Sequence, residues 1–117
     1  MNDKKPRIYG DGEQSRDFTF VSNVVEANIL ASTKDCQSGV VLNCACNEKT
    51  TVNQLVKELN AILDKNITPE YTEPRAGEVK ESCAAIERAK MELGYFPQVN
   101  FKDGLRKTAE WYMQSGK

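Results

Sequence analysis

The sequence contains no histidine, and this absence excludes several kinds of catalytic site. Ser-His-Asp and Cys-His nucleophile systems need an imidazole as the general base, so this chain does not contain one. Its four cysteines include no Cys-x-x-Cys pair, and without that spacing or a histidine a zinc site is disfavoured. We therefore expect no metal in this chain, and small buried apolar roles for Cys36, Cys44, Cys46 and Cys83.

Long apolar runs are also missing, as is an excess of charge of either sign. No run approaches the ~20 residues of a membrane-spanning helix, and the polar residues 1–5 lack the apolar core of a signal peptide. The 16 basic and 17 acidic residues leave a net charge of −1, so no overall field favours nucleic acid or an anionic membrane. We expect a soluble cytoplasmic protein whose 117 residues form one small domain, in which any anion site is local.

The most informative stretch runs from residue 6 to residue 23, PRIYGDGEQSRDFTFVSN. Strand-forming residues at 7–9 and 17–21 flank a loop at 10–15 that has a glycine on each side of an aspartate. This pattern permits positive φ angles and an Asx-type turn. It predicts that the two runs pair as a hairpin with a long connection.

Arg16 stands where this loop becomes a strand. A guanidinium held by strand backbone is a rigidly placed, bidentate cation that suits phosphate or carboxylate. The alternative is a plain turn beside a surface ion pair with Asp17. Gly10 and Gly12 do not begin a dinucleotide-binding fingerprint, because Ser15 replaces its third glycine and a strand follows.

Residues 74–82, PRAGEVKES, form the second informative stretch. Arg75 lies in a glycine-containing loop with Glu78 three residues later, and loops on a packed scaffold often carry binding groups. The alternative is a solvated Arg75–Glu78 pair on a connector. If Arg16 and Arg75 converge, they could hold a diphosphate from both sides.

Helices and short strands alternate along the rest of the chain and predict a small mixed α/β domain. A helix is expected over residues 24–31, with Asn23 as its N-cap and Glu26 completing a capping box. The continuous apolar run 40–46 predicts a strand covered on both faces. Cys44 and Cys46 lie two residues apart in that run and share a face.

Thr51 and Gln54 have capping-box spacing and begin the clearest helix, whose apolar residues follow one face as far as residue 63. A short extended segment at 67–72 follows. A helix over about 84–93 should end at Gly94, and a last helix should start with Asp103 as its N-cap.

Four stretches together carry a family resemblance: IYGDGEQSRDFTFVSNVVEANILA, VVLNCACNEKTTVNQLV, PRAGEVKESCAAIERAKMELGY and FKDGLRKTAEWY. In order and spacing they resemble the carboxy-terminal part of the extended short-chain dehydrogenase/reductases. They are most similar to the nucleotide-sugar epimerases, and among these to UDP-sugar 4-epimerases acting on UDP-N-acetylglucosamine or related N-acetylated sugars. The resemblance covers nearly the whole chain.

The resemblance implies roles for five residues. Tyr9 occupies the position whose ring lies against uracil, and Arg16 and Arg75 occupy the two positions that contact the diphosphate. Glu78 stands where the family usually has an aspartate that bonds to the ribose, so its acceptor chemistry is kept with a different reach. Ser82 occupies the position whose bulk helps decide sugar tolerance, and a small residue there implies acceptance of an N-acetyl group.

Some family features are altered or missing. Asn23 replaces an aspartate at a helix start, and Ala45 and Asn47 replace glycines, which should alter only a turn. The glycine-rich NAD turn, the Tyr-x-x-x-Lys pair and the accompanying Ser or Thr do not occur here. Since the cofactor carries the hydride, this chain is expected to hold no catalytic or cofactor-binding residue, while NAD serves the complete family enzyme.

The sequence thus predicts a substrate-binding domain of a UDP-sugar 4-epimerase that binds UDP-hexose or UDP-N-acetylhexosamine and is inactive in isolation. One alternative is a truncated remnant that acts as an oligomerising interaction module, because separation from an NAD-binding half would expose apolar surface. Another is half of a two-chain epimerase or dehydratase whose Rossmann half is a separate chain. Dehydratases share the same pattern, so the reaction type stays open.

Overall fold

The computed structural model describes residues 3–35 and 39–115, which form four helices and four short strands. This confirms the mixed α/β class. In chain order the elements are β1 Arg7–Tyr9, β2 Ser15–Arg16, α1 Val21–Thr33, β3 Thr50–Thr51, α2 Val52–Leu63, β4 Glu70–Thr72, α3 Glu87–Leu93 and α4 Phe101–Ser115. None of the helices in the described part of the chain has the length and apolar character needed to cross a membrane.

The predicted hairpin is wrong, because the strands on the two sides of the loop have different partners. β1 pairs in parallel with β4, with Ile8 opposite Tyr71. β2 covers only Ser15 and Arg16 and pairs antiparallel with β3. Residues 17–20 form no strand and lead directly into α1.

The start of α2 explains why the loop does not close a hairpin. The first backbone N–H groups of a helix have no partner within it. In this protein the N–H of Val52 donates to the Gln14 carbonyl at 3.1 Å, and that of Asn53 donates to the Gly12 carbonyl at 2.9 Å. Gly12 has a φ of +78°, and a Cβ there would lie 2.1 Å from Asn53 Oδ1. The loop is therefore bound to α2 rather than folded back on itself.

Asn23 is not the N-cap of α1, which begins two residues earlier, after Phe20. Its side chain is 1% exposed. Asn23 Nδ2 donates to the Val99 carbonyl at 2.8 Å, and Asn23 Oδ1 accepts from the N–H groups of Gln98 and Val99 at 2.9 and 3.1 Å. Asn23 thus ties the first turn of α1 to the segment that precedes α4.

The predicted buried strand at 40–46 is also wrong. The run forms neither helix nor strand and pairs with no strand in the described part of the chain. Leu42 and Cys44 face the core and are half-buried, whereas Val41 points outward and is 84% exposed. The run is therefore covered on one face only.

The N-terminus of α2 follows the prediction closely. Thr51 Oγ1 accepts from the Gln54 N–H at 3.1 Å, and Gln54 Oε1 accepts from the Thr51 N–H at 2.8 Å. The capping box is thereby confirmed, and the helix ends at Leu63 as expected. β4 lies within the predicted extended segment at 67–72.

The last two helices start elsewhere than predicted. α3 begins at Glu87, three residues late, although Gly94 ends it in the left-handed conformation as expected. α4 begins at Phe101, and Asn100 Oδ1 accepts from the Asp103 N–H at 2.9 Å. Asn100 therefore caps α4, and Asp103 lies within its first turn.

The core lies between α1, α3 and the run at 42–46. Its largest fully buried side chain is that of Tyr95, which is 0% exposed and whose hydroxyl donates to the Ala45 carbonyl at 2.7 Å. Burial raises the pKa of Tyr95 to about 12. The other buried members of the cluster are Ala27, Ala45, Ile86, Ala89 and Leu93.

The cysteines only partly fit the expected apolar roles. Cys46 is buried and Cys44 is half-buried, and burial raises the pKa of both thiols. Cys83 is exposed, so the prediction is wrong for that residue. Cys36 lies outside the described residues.

Candidate functional site

The two informative stretches of sequence meet along β2. The N–H of Ser15 donates to the Lys80 carbonyl at 2.8 Å, and the N–H of Ser82 donates to the Ser15 carbonyl at 3.0 Å. Residues 80–82 therefore run parallel to β2 along one edge, and β3 occupies the other edge. This pairing fixes Arg16 in β2 beside the loop that carries Arg75 and Glu78.

Arg16 forms an ion pair with Glu78. Arg16 Nη2 lies 3.6 Å from Glu78 Oε1, and the two side chains are 31% and 30% exposed. Arg16 Nη1 also donates to the Ser15 carbonyl at 2.7 Å, which restrains the guanidinium along its own strand. Glu78, which the sequence offered as an ion-pair partner for Arg75, therefore pairs with Arg16 instead.

Arg75 lies against the aromatic ring of Tyr9. Its Cζ is 4.1 Å from the ring centroid, a distance typical of a cation–π contact. Hydrogen bonding from Arg75, and then from Arg7, holds the pKa of the Tyr9 hydroxyl below its usual range. Arg7 is a member of this cluster that the sequence reasoning missed, although it lies two residues before Tyr9 on the same strand, and hence on the same face.

Side-chain hydrogen bonds and one ion pair hold Tyr9 and the loop that follows it. Gln14, which is 8% exposed, donates from Nε2 to the Tyr9 carbonyl at 3.0 Å. Asp11 Oδ1 accepts from the Glu13 N–H at 2.9 Å, which is the predicted Asx-type turn. Lys80 Nζ lies 3.3 Å from Asp11 Oδ2 and so links this loop to the second stretch.

Asp17 is the structural residue of the site that sequence reasoning missed. Its carboxylate accepts from the N–H groups of Cys46 at 3.0 Å, Asn47 at 2.8 Å and Ala84 at 3.3 Å. Asn47 has a φ of +58°, which asparagine tolerates better than most residues and which explains a glycine preference there. Asp17 therefore joins β2, the turn at 45–47 and the start of the α3 region.

Ser82 lies at the edge of this cluster and is exposed. Its backbone is fixed by the bond to Ser15, so a ligand on Arg16 would pass close to it. All five predicted site residues thus belong to one corner of the molecule, formed by β1, β2 with the adjoining Asp17, the turn at 75–78 and Ser82. We call this the arginine corner.

The chemistry of the arginine corner suits binding. It offers guanidinium groups for an anion, an aromatic ring for a planar group and a carboxylate for hydroxyl groups. Across residues 3–35 and 39–115, no three His, Cys, Asp or Glu side chains are arranged to hold a metal ion. The glycine loop does not fit a dinucleotide either, because Asn53 fills the space over Gly12 and β2, not a helix, follows.

Comparison with known proteins gives a consistent result. The model of the family described as GDP-mannose 4,6 dehydratase matches residues 1–108. The crystal structure of UDP-glucose 4-epimerase from Thermotoga maritima with UDP-glucose superposes with a TM-score of 0.92 at 37% identity, over 98% of this chain and 37% of that one.

Two further relatives agree with this result. UDP-N-acetylglucosamine 4-epimerase from Methanobrevibacter ruminantium, solved with UDP-N-acetylmuramic acid, gives a TM-score of 0.89 at 35% identity, over 97% of this chain and 36% of that one. The UDP-glucuronate 4-epimerase of Thermodesulfobacterium geofontis is 30% identical over 93% of this chain and 34% of its own length. The chain spans about a third of the length of these relatives.

Proposed function

This chain belongs to the GDP-mannose 4,6-dehydratase family of extended short-chain dehydrogenase/reductases, and we propose that it is the part that binds the nucleotide end of a UDP-sugar. The observation that carries the proposal is the pairing of Ser15 with residues 80–82, which places the stretch that carries Arg75 and Glu78 beside Arg16. A whole epimerase would invert the configuration at C4 of the sugar, with NAD as the hydride carrier. The contribution of this chain is to hold and orient the substrate.

Each residue of the arginine corner has a proposed contact. Arg16 and Arg75 bind the diphosphate through charge-assisted hydrogen bonds. Tyr9 stacks on the uracil, and Glu78 accepts a hydrogen bond from the ribose. Ser82 borders the sugar, and its small exposed side chain leaves room for an N-acetyl group.

This arrangement uses binding energy remote from the reacting carbon to orient the sugar. In the complete family enzyme NAD supplies the hydride chemistry. The glycine loop of this chain does not fit the dinucleotide, since Asn53 fills the space over Gly12. The reaction catalysed by a complete protein, epimerisation or dehydration, therefore depends on residues beyond the arginine corner.

A titration of the full chain with UDP and UDP-N-acetylglucosamine, followed by amide chemical shifts, tests this proposal. We expect saturable shifts at Tyr9, Arg16, Arg75 and Ser82. Arg16→Gln and Arg75→Gln should each weaken binding about tenfold or more, since a hydrogen bond to a charged group contributes about 1.5–3 kcal/mol.

The matched control is Arg106→Gln, because Arg106 lies in α4, which contributes no residue to the arginine corner. This variant should bind as the wild type does. Absence of saturable shifts up to millimolar UDP would overturn the proposal for this chain. Equal losses in all three variants would show that general charge, not the corner, is responsible.

A second candidate function is association with another chain, and a specific apolar surface favours it. Val21, Val25 and Ile29 of α1 are 65%, 51% and 51% exposed. Val41 is 84% exposed and belongs to the run at 40–46, whose Leu42 and Cys44 pack against the same core cluster as α1. We call these four residues the α1 face. Its partner would be a second copy of this chain or a Rossmann half on a separate chain.

Light scattering tests this second candidate. A dimer that Val25→Glu abolishes would support association through the α1 face. A clean monomer at millimolar concentration would exclude a second copy as the partner. Epimerase or dehydratase activity that appears on mixing with a Rossmann chain would identify the two-chain arrangement.

A further inference from the structure

We propose that Glu78 is an internal competitor for the diphosphate: it occupies Arg16 in the free protein and is displaced when the ligand binds. This inference rests on the proposed function, because it concerns the same site. It assigns Glu78 a regulatory effect on affinity in addition to its proposed contact with the ribose.

The geometry of Arg16 supports a pair that can exchange. The Arg16–Glu78 separation of 3.6 Å is too long for a good hydrogen bond, so the attraction is mainly electrostatic. The other end of the guanidinium is held by the Ser15 carbonyl at 2.7 Å. Arg16 therefore keeps its position when Glu78 leaves, and a phosphate oxygen can take the place of the carboxylate.

The segment that carries Glu78 differs from the strand that carries Arg16. Glu78 follows Gly77, whose φ is +76°, and its N–H makes a 3.4 Å bond to the Arg75 carbonyl. A turn whose internal hydrogen bond is this long changes conformation more readily than β2, which is hydrogen-bonded on both edges. Displacement therefore moves Glu78 rather than Arg16.

Arg75 belongs to the same turn as Glu78 and, like Arg16, contacts another residue of the corner. It lies 4.1 Å from the centroid of the Tyr9 ring, which is the proposed surface for uracil. In the free protein each arginine thus contacts a group that is itself a proposed ligand contact. The free corner is partly neutralised by its own residues, and a nucleotide diphosphate replaces these contacts.

The size of the effect follows from the exposure of the pair. Half-exposed ion pairs contribute roughly 0.2–1 kcal/mol, so releasing Arg16 should strengthen anion binding by up to about fivefold. Removal of the carboxylate also removes its repulsion of a nearby phosphate. Inorganic pyrophosphate is the appropriate probe because it lacks the ribose to which Glu78 is proposed to bond.

The experiment titrates the full chain with pyrophosphate and with UDP, comparing wild type, Glu78→Gln and Glu81→Gln. Glu81 is a matched control, since it lies three residues later and its partner is Lys49, at 3.1 Å, not an arginine. Both substitutions remove one negative charge. We expect Glu78→Gln to tighten pyrophosphate binding about two- to fivefold. UDP should show no gain, because the weaker acceptor at the ribose offsets the release of Arg16, and Glu81→Gln should change the binding of neither ligand.

The outcomes separate this inference from the proposed function. Retained UDP binding with no gain for pyrophosphate in Glu78→Gln, or an equal gain in Glu81→Gln, would overturn the competitor role alone. No saturable binding of either ligand in the wild type and in Glu78→Gln would overturn the proposed function, and this inference with it. Matching amide spectra of the two free variants would exclude a change of fold as the cause.

Discussion

The arginine corner and the α1 face differ in how far other residues of this chain pair or cover their side chains. In the corner, Asp17 accepts three backbone N–H groups, and Arg16 and Arg75 each have a partner. On the α1 face, four aliphatic side chains are at least 51% exposed, and the run at 40–46 has no strand partner among the described residues. The polar site is built within this chain, whereas the apolar face is left uncovered by it.

This difference means that the two regions respond to different changes. Groups buried with fixed hydrogen-bond partners are costly to alter, because each lost partner leaves an unpaired group. Exposed apolar groups cost little to alter in an isolated chain, and matter only when a partner covers them. Four predictions, taken in order of decreasing effect, test that contrast.

The largest effect should come from Asn23, which ties the first turn of α1 to the segment before α4. Asn23→Ala leaves the backbone groups of Gln98 and Val99 without partners, at about 1–3 kcal/mol for each unpaired buried group. We expect the free energy of unfolding to fall by about 3 kcal/mol or more. Urea denaturation measures it, and Asn28→Ala on the exposed side of the same helix should change little.

The next effect is a loss of stability at alkaline pH caused by Tyr95. Its pKa rises from 10.0 in the unfolded chain to about 12 in the core, so the folded state favours the protonated hydroxyl. This stabilisation is complete below pH 10 and is lost as the pH rises through 12, with a total of up to about 3 kcal/mol.

Urea denaturation at intervals from pH 9 to pH 12 measures the loss at Tyr95. Tyr95→Phe should be less stable at neutral pH, since the Ala45 carbonyl loses its donor. Its stability should decline less steeply over this range. A decline as steep as that of the wild type would assign the pH dependence to other groups.

A smaller effect is expected from Asp17→Asn, which keeps the shape but replaces one acceptor oxygen with a donor. The new NH2 group would face backbone N–H donors, either those of Asn47 and Ala84 or that of Cys46, and would leave them without an acceptor. We expect a loss of about 1–3 kcal/mol in stability together with weaker UDP binding. Asp35→Asn is the control, and unchanged UDP affinity in Asp17→Asn would show that the site does not depend on this tie.

The smallest effect is predicted for Val41→Lys on the α1 face. Because Val41 is 84% exposed, its replacement should change stability by no more than about 0.5 kcal/mol. Leu42→Lys, one residue later and facing the core, should be clearly destabilising. Equal losses in the two variants, measured by urea denaturation, would mean that Val41 is already covered in solution.

Features set by neighbouring residues were predictable from the sequence. The capping box of Thr51 and Gln54 depends on a three-residue spacing, and the end of α3 depends on the freedom of Gly94. Both could be identified without tertiary information. The start of α4 was misplaced by a few residues because Asn100 and Asp103 are both good caps, and only packing decides between them.

Features set by distant partners were not predictable. The hairpin failed because the choice of strand partners depends on where α2 and residues 70–72 come to lie. Asparagine often caps helices, and no residue near Asn23 in the sequence indicates that its side chain bonds to the backbone of Gln98 and Val99.

Arg16 and Arg75 were predicted as anion-binding residues from the stretches that carry them, and the family resemblance added roles for Tyr9, Glu78 and Ser82. The Arg16–Glu78 pair was not predicted, since it joins residues 62 positions apart.

The central claim is that Arg16 and Arg75 bind one diphosphate together. The most direct measurement follows the side-chain Nε–Hε signals of the arginines in the full chain as UDP is added. We predict that the signals of Arg16 and Arg75 move along one common saturation curve while that of Arg106 stays fixed. Signals that do not move, or that follow two different curves, would contradict a single shared site.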